Sequence, residues 1–449
     1  MIFKIEKITG LLIALSYSVF VFGQQKNTFS LKQAQEYAIT HNYQSINAVL
    51  DIEQAKKKVW ETTAIGLPQV SADASFTNFL KIPTSVLPAK AFNPSAPEGE
   101  LIGLQFGSEY NTTASISATQ LIFDGSYIVG LQAAKTYKEL SINNKKKTDL
   151  EIKNAVAQAY HNVLAAKENQ KILDSNYQST NELLIETKAI YEAGLTEEQN
   201  VDQLQLNLSN IENLATQAKR QIEVAKMLLK VQMGLEINQP ITLSEKLEDM
   251  VVIEEVNTFL IEKFEPETHV DYEMALTNER LMQLSYNNEK YSFAPSVAAF
   301  FNHQQQSLTN NFDAFSGGTW YPSTYWGVSL KLPILTSGMR LAKMSQAKIE
   351  HEKAMNSSKL VEQKLILQYQ TEQTTLDVAF NSYNIQKKNL DLAISIYNKT
   401  IKKYAEGMST SLELTQSQTQ MLNTEGQYIQ SILVLLNAKA ALKKALGTY

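Results

Sequence analysis

Three glycines constrain this chain more than any other feature. Gly125, Gly194 and Gly234 recur as Gly338, Gly407 and Gly447, each pair 213 positions apart. The surrounding residues follow the same spacing. Tyr191-Glu192-Ala193-Gly194-Leu195-Thr196 is matched by Tyr404-Ala405-Glu406-Gly407-Met408-Ser409, and Gln232-Met233-Gly234 by Ala445-Leu446-Gly447. A long fixed period marks a tandem duplication, so each copy is expected to build the same supersecondary unit. Pro68 pairs with Pro295 at a separation of 227, so the first copy carries 14 more residues before its first glycine. Extra length of this kind is absorbed in a loop.

Proline and glycine also mark where helices can run, because proline breaks a helix interior and glycine weakens it. No proline lies between Pro97 and Pro240, and none follows Pro333; both stretches are rich in Ala, Leu, Lys, Gln and Glu. Within the first, Val201, Leu204, Leu208, Ile211, Ala215, Ala218, Ile222, Ala225 and Leu229 step alternately by three and four. That is a heptad seam, which requires a partner helix. Ser126 to Glu192 is also helix-forming, with Ile152, Val156, Ala159, Val163 and Ala166 on one side. At about 1.5 Å per residue such a helix reaches roughly 100 Å, the length of a rod.

Each copy is expected to open with a helix, Leu31 to Ile65 and about Val270 to Tyr291, and then to change period. After Pro68, Val70, Ala72, Ala74 and Phe76 alternate with Ser71, Asp73, Ser75 and Thr77, and Ala114, Ile116 and Ala118 alternate with Thr113, Ser115, Ser117 and Thr119. In the second copy Val297, Ala299 and Phe301 alternate, least cleanly, with Ser296, Ala298 and Phe300; Trp326, Val328, Leu330 and Leu332 alternate with Gly327, Ser329 and Lys331. Period two predicts four strands, each with an apolar and a polar face. Lys81 to Glu109 holds four prolines and Asn302 to Thr324 is rich in Gln, Asn, Ser and Gly, so both read as water-exposed turns. Trp320, Tyr321, Tyr325 and Trp326 cluster beside the fourth strand, as rings at a lipid headgroup boundary or in a core would.

Lys4 and Lys7 precede an apolar stretch from Ile8 to Phe22, and Val21-Phe22-Gly23 suits cleavage before Gln24, so residues 1–23 read as a secretory signal. Beyond them no window is long and apolar enough for a spanning helix, and any membrane crossing must use strands. Alternating segments of about ten residues suit tilted transmembrane strands, but four cannot close a barrel and open edges are not tolerated in lipid. The protomer should therefore oligomerise.

With 44% apolar and 19% charged residues the chain is ordered, and a net charge of −5 removes any case for nucleic-acid binding. Its zero cysteines exclude disulfides, thiolate sites and a lipidated N-terminal Cys. His41, His161, His269, His303 and His351 are scattered without ligand spacing, and no phosphate-binding glycine loop occurs. No enzyme activity and no cofactor or metal are expected. His351, between Glu350 and Glu352, reads as a solvated helix residue.

The order of these pieces is informative: helix, Leu67-Pro68 strand, loop, strand, Phe123-Asp124-Gly125 into a long helix, Gly-Leu-Thr turn, heptad helix, and all of it again. This resembles the TolC-like outer-membrane efflux proteins over nearly the whole mature chain. The resemblance implies a mainly α fold with membrane β. Three sets of four strands would form a 12-stranded outer-membrane β-barrel, and the coiled-coil helices a periplasmic α-barrel. The expected divisions are 24–67, first helix; 68–123, first strand pair and loop; 124–234, first helical hairpin; and 235–268, an equatorial segment whose glutamates face water. They repeat as 269–294, 295–335 and 336–449. A homotrimeric exit duct is implied, working with a periplasmic adaptor and an inner-membrane transporter. An extracytoplasmic coiled-coil scaffold is the alternative, and it leaves the amphipathic strands unexplained.

Two sets of residues follow from the resemblance. Gly194, Leu195 and Thr196, with Gly407, Met408 and Ser409, form the hairpin tips through which family members meet an adaptor; the glycines alone also suit helix ends, with Thr196 or Ser409 capping the next helix. Family members narrow their periplasmic entrance with acidic side chains six and nine residues after the second tip glycine, which here are Glu413 and Gln416. Threefold symmetry would make Glu413 a ring of carboxylates that raise one another's pKa, although Gln416 departs from the acidic pattern and lowers the charge, and a solvated helix position is the alternative for Glu413. Asn200 and Gln203, the first-copy equivalents, are placed to hydrogen-bond between helices.

Overall fold

The computed structural model describes residues 28–312 and 319–448. The expected secretory signal and cleavage site lie outside the described residues. The chain divides into two units.

The first unit, residues 28–47, 146–269 and 364–448, is helical. Strand β1 (Thr28–Phe29) pairs in parallel with β6 (Thr242–Leu243). Helix α1 (Leu31–His41) follows, opened by a Ser30/Gln33 capping box. The long helix α3 (Gly125–Glu192) enters the unit at residue 146, and α4 (Glu198–Met233) follows it. In the second copy, α7 (Met339–Ala405) and α8 (Ser411–Leu446) repeat the arrangement. Of the heptad seam, Val201, Leu204, Leu208, Ile211, Ala218, Ile222, Ala225 and Leu229 are buried and Ala215 is half-buried. Ala225 and Leu229 join Ile152, Val156, Tyr160 and Val163 of α3 and Leu376, Tyr383, Ile432, Leu435 and Leu442 of the second copy in the main apolar core, while Val201, Leu204 and Leu208 pack with Leu184 in a separate, smaller cluster. Burying such side chains stabilises by about 1.5–3 kcal/mol each, which is what holds polar-faced rods together.

The connecting segment 235–268 carries a short helix, α5 (Ile253–Ile261), whose Val256 is buried in that core. It is held to α7 by side chain to backbone bonds, Gln373 Nε2 to Leu260 O at 2.7 Å and Tyr369 Oη to Glu262 O at 2.5 Å. Tyr160, fully buried, donates to Phe29 O (2.9 Å) and to the Glu245 carboxylate, and Glu245 also accepts from Leu31 N (3.0 Å). Burial and this carboxylate push the Tyr160 hydroxyl pKa up.

One expectation is corrected here. Leu31 to Ile65 is not one helix: it breaks at Asn42 into α1 and α2 (Tyr43–Ile65). Asn42 is extended (φ −66°, ψ 133°), its side chain donates to Gln232 O at 2.8 Å, and its Oδ1 caps Gln44 N at 2.8 Å. A tertiary hydrogen bond from the end of α4 thus outweighs local helix propensity. The second copy has the same joint with different chemistry: His269 precedes α6 (Val270–Tyr291) and its Nε2 lies 3.4 Å from Lys444 O at the end of α8.

The second unit, residues 48–145 and 270–363, holds the sheet. Strands β2 (Gln69–Asn78), β5 (Tyr110–Phe123), β7 (Ser296–Thr309) and β8 (Trp320–Lys331) lie in the order β2-β5-β7-β8, all antiparallel. The strands outrun their predicted spans, and two expectations change. Asn302 to Thr309 and Trp320 to Thr324 continue the strands instead of turning, and within Lys81 to Glu109 a hairpin forms from β3 (Thr84–Pro88) and β4 (Leu101–Gln105). Both faces of outer β7 are polar, which erases the period-two signal.

Register assigns the faces. Val70, Ala118, Phe301 and Trp326 stand opposite one another, as do Ala72, Ile116, His303 and Thr324. On the other face lie Ser71, Ser117, Asn302 and Tyr325, and Asp73, Ser115, Gln304 and Ser323. Ser71 Oγ and Ser117 Oγ bond at 2.8 Å, and Gln306 Nε2 donates to Asn111 Oδ1 at 3.0 Å, so the polar face is cross-linked by its own side chains. Phe300, which breaks the alternation, lies over Gly327, where a Cβ would stand 2.7 Å from the ring. The aromatic cluster also divides: Trp320 and Trp326 take the apolar face, Tyr321 and Tyr325 the polar one.

The unit's helices meet the strands at tight elbows. Tyr127 of α3 donates to Thr63 O at 3.1 Å, and Gln120 Nε2 to Gly66 O at 2.6 Å. In the second copy Arg340 donates to Ser292 O. No helix among the described residues is long and apolar enough to cross a membrane.

Candidate functional site

The site is built where each helical hairpin reverses. Helix α3 ends in Gly194 at φ +74°, with Gly194 N bonded to Tyr191 O (2.8 Å) and Leu195 N to Ile190 O (3.0 Å). Helix α7 ends in Gly407 at φ +70°, with Gly407 N bonded to Tyr404 O (3.0 Å) and Met408 N to Lys403 O (2.8 Å). Each is a Schellman cap, in which a left-handed residue lets two amides satisfy orphan carbonyls. The duplication is therefore retained down to individual hydrogen bonds. Past each cap the chain puts an apolar side chain in water: Leu195 is 80% and Met408 64% exposed.

The capping roles expected of Thr196 and Ser409 are corrected. Thr410 is the N-cap of α8: its Oγ1 accepts from Glu413 N (3.2 Å), and Glu413 Oε2 accepts from Thr410 N (3.1 Å) and Ser409 Oγ (2.6 Å). Thr-x-x-Glu is the capping-box spacing, a signal present in the sequence. The Ser409 hydroxyl and the Thr410 amide hold the exposed Glu413 carboxyl below the usual carboxylate range. Thr196 caps no backbone; its Oγ1 accepts from Asn200 Nδ2 at 2.9 Å, and Glu197 stands at the N-cap of α4.

The tips of the two copies touch. Ser411 Oγ donates to Asn200 Oδ1 at 2.5 Å and also contacts the Gln203 amide, so Asn200 and Gln203 are brought together by a residue that sequence reasoning missed. Glu413 and Gln416 do not join this cluster, and both are exposed. A cleft of about 940 Å³ opens between the tips, with Leu183, Thr187, Leu195, Asn200, Tyr404 and Leu412 among its lining residues.

Deeper in, a buried amide relay links the same helices. Asn207 Nδ2 donates to Gln418 Oε1 (2.7 Å), Gln418 Nε2 to Thr180 Oγ1 (2.7 Å), and Thr180 Oγ1 to Asn176 O (2.8 Å). Gln418 and Thr180 are 1% exposed, so removing any member strands a partner out of water. One turn pair on, Asn176 Nδ2 lies 3.4 Å from Glu425, whose carboxyl burial pushes upward. The signal was the step of four and three through Leu414, Gln418, Met421, Glu425 and Tyr428, a seam with polar residues at two positions.

Two further features belong to the helical unit. His161, 3% exposed, shares Nδ1 with Asn437 Oδ1 at 3.0 Å, and burial lowers its pKa to about 4. It is a core histidine. Among the described residues no three His, Asp or Glu side chains gather as a metal site.

The profile of the outer membrane efflux protein family matches residues 38–235 and 273–448. Solved structures with the same fold include the outer membrane protein VceC of Vibrio cholerae, at 16% identity, TM-score 0.68, covering 93% of this chain and 96% of that one. The CmeC outer membrane channel of Campylobacter jejuni is 17% identical, with TM-score 0.68 and coverage of 93% and 85%. The open state of the Neisseria gonorrhoeae MtrE outer membrane channel is 17% identical, with TM-score 0.70 and coverage of 93% and 89%. No curated protein matches the sequence. These likenesses show the fold, and the profile spans both copies of the duplication: the chain belongs to the outer membrane efflux protein family.

Proposed function

We propose that three copies of this chain form an exit duct through the outer membrane, passively conducting cargo that an inner-membrane transporter delivers through a periplasmic adaptor. One observation carries this. The four-stranded sheet has an apolar face and two unpaired edges, β2 and β8. Because the strands alternate in direction, β8 of one copy runs antiparallel to β2 of the next. Three copies then close a 12-stranded barrel with no edge left in lipid. A soluble scaffold would leave that apolar face in water.

In this duct Leu195 and Met408 contact the adaptor, with Gly194, Thr196, Gly407 and Ser409 shaping the tips. Asn200, Gln203, Glu413 and Gln416 line the periplasmic entrance, and the Ser411 bond between the copies keeps it narrow. The test is mass and membrane behaviour: cell envelopes are fractionated, extracted in detergent and measured by light scattering with the detergent subtracted, followed by bilayer conductance. An outer-membrane trimer that conducts supports the proposal. A soluble monomer or dimer refutes it.

A further inference from the structure

The polar face of the sheet is nearly devoid of charge. Along the four strands its side chains are mostly Ser, Thr, Asn and Gln, with Phe300, Tyr321 and Tyr325 among them. Among the described residues of these strands only Asp73 and Lys331 carry a full charge, and both are exposed on this same face. They are far apart. Asp73 lies in the row of Ser115, Gln304 and Ser323, whereas Lys331 stands opposite Ser296 at the end where β8 runs into α7. From Ser296 to Gln304 is eight residues along β7, about 26 Å at about 3.3 Å per residue. That exceeds the screening length of about 8 Å at physiological salt, so each charge acts on its own surroundings.

We infer that Asp73 and Lys331 are the charge-discriminating residues of the membrane passage, an inference that rests on the duct reading. Threefold closure turns Asp73 into one ring of carboxylates and Lys331 into one ring of ammonium groups, at separate heights in a lumen otherwise lined by neutral hydroxyls and amides. A permeating ion meets an anion-favouring girdle at the helical end and a cation-favouring girdle further out. Hydroxyl and amide neighbours bond cargo of either sign, so among the described strand residues these two rings carry the charge bias of the membrane passage. Glu413, by contrast, spends its carboxylate on Ser409 and the Thr410 amide.

The test is reversal potential in planar bilayers across a tenfold KCl gradient near physiological ionic strength, where a screening length of about 8 Å keeps the two rings independent. Asp73→Asn should lower the cation-to-anion permeability ratio about twofold, and Lys331→Gln should raise it by a similar factor. The opposite signs exclude a general distortion of the pore. Asp73→Glu and Lys331→Arg, which keep the charges, should leave the ratio at the wild-type value, provided each runs as a trimer. If wild-type protein forms channels and neither neutral variant moves the ratio, or both move it the same way, the inference is overturned while the duct stands. If wild-type trimers form no channels at all, the duct reading falls and the inference with it.

Discussion

The four Schellman glycines offer an internal control on how closely the helices are packed. Gly194, Gly234, Gly407 and Gly447 share φ between +70° and +75°, so replacing any of them by Ala forces an L-residue into the left-handed region. That strain costs about 1–2 kcal/mol at each site. Their surroundings differ. At Gly194 and Gly407 a new Cβ meets nothing within 4 Å, and at Gly447 its nearest neighbour is His269 Cδ2 at 3.4 Å, an ordinary contact. At Gly234 it would stand 2.2 Å from His41 O and 2.6 Å from His41 C. Those are backbone atoms at the α1–α2 break, and they cannot rotate away. Gly234→Ala should therefore lose a further ~1–3 kcal/mol, the usual penalty of overpacking. Guanidinium unfolding followed by the helical circular dichroism of the detergent-solubilised protein ranks the four variants by midpoint, provided the slope is unchanged. Gly194→Ala, Gly407→Ala and Gly447→Ala should cluster, with Gly234→Ala well below them. A Gly234→Ala protein no less stable than Gly447→Ala would refute the close approach of α4 to the break at Asn42.

Further outcomes follow from the site. Glu in place of both Leu195 and Met408 should abolish crosslinking to the adaptor and stop efflux while the trimer survives; intact crosslinking would remove the tips from that interface. Glu413→Gln keeps the capping box, since Gln serves at that position, but removes the charge. Reduced cation preference with unchanged melting would mark Glu413 as an entrance charge, and unchanged selectivity would leave it a cap. The folded-state pKa of Glu413 is depressed, so its capping contribution is present above the normal carboxylate pKa and lost as pH falls through the lowered value, read as faster amide exchange in the first turn of α8. His161 is depressed from 6.5 to about 4, so its stabilisation of the neutral-pH fold is complete above 6.5 and is lost on acidification toward 4. The loss is about 3 kcal/mol, and His161→Gln should flatten that part of the pH–stability curve.

How much of this was legible in the sequence depends on where each residue's partner lies. The seam from Val201 to Leu229 was readable because its partners impose one period, and burial follows that period. The duplication was readable because two of its three glycine pairs, Gly194/Gly407 and Gly234/Gly447, are left-handed helix caps, a conformation that admits few residues besides glycine. The break at Asn42 was not, because its cause is Gln232 O, 190 positions away. The outer part of β7 carries no period-two signal because Gln304 and Gln306 lie on one face and His303 and Gln305 on the other, and alternation of like with like is silent. The cap at Thr410 rather than Ser409 has a local cause. Thr410 stands three residues before Glu413, the spacing that closes a capping box, whereas Ser409 stands four before it.

The polar seam positions explain how rods this uniform keep their register. Seams of Leu, Ile and Ala tolerate sliding by a heptad, because each slip exchanges one apolar contact for another. Gln418 does not: its oxygen accepts from Asn207 of α4 and its nitrogen donates to Thr180 of α3, so only one alignment of α8 against the first copy's hairpin satisfies both ends. Any slip strands three buried polar groups, at about 1–3 kcal/mol each. The relay is uncharged, so the penalty for separating its partners stays well below that of a buried ion pair. Register is thereby fixed at a smaller cost to parting the two hairpins than a buried ion pair would impose, which suits the periplasmic entrance of the proposed duct. The Ser411 contact to Asn200 and Gln203 lies nearer the tips and more exposed than the relay, so parting should begin there and stop at Gln418.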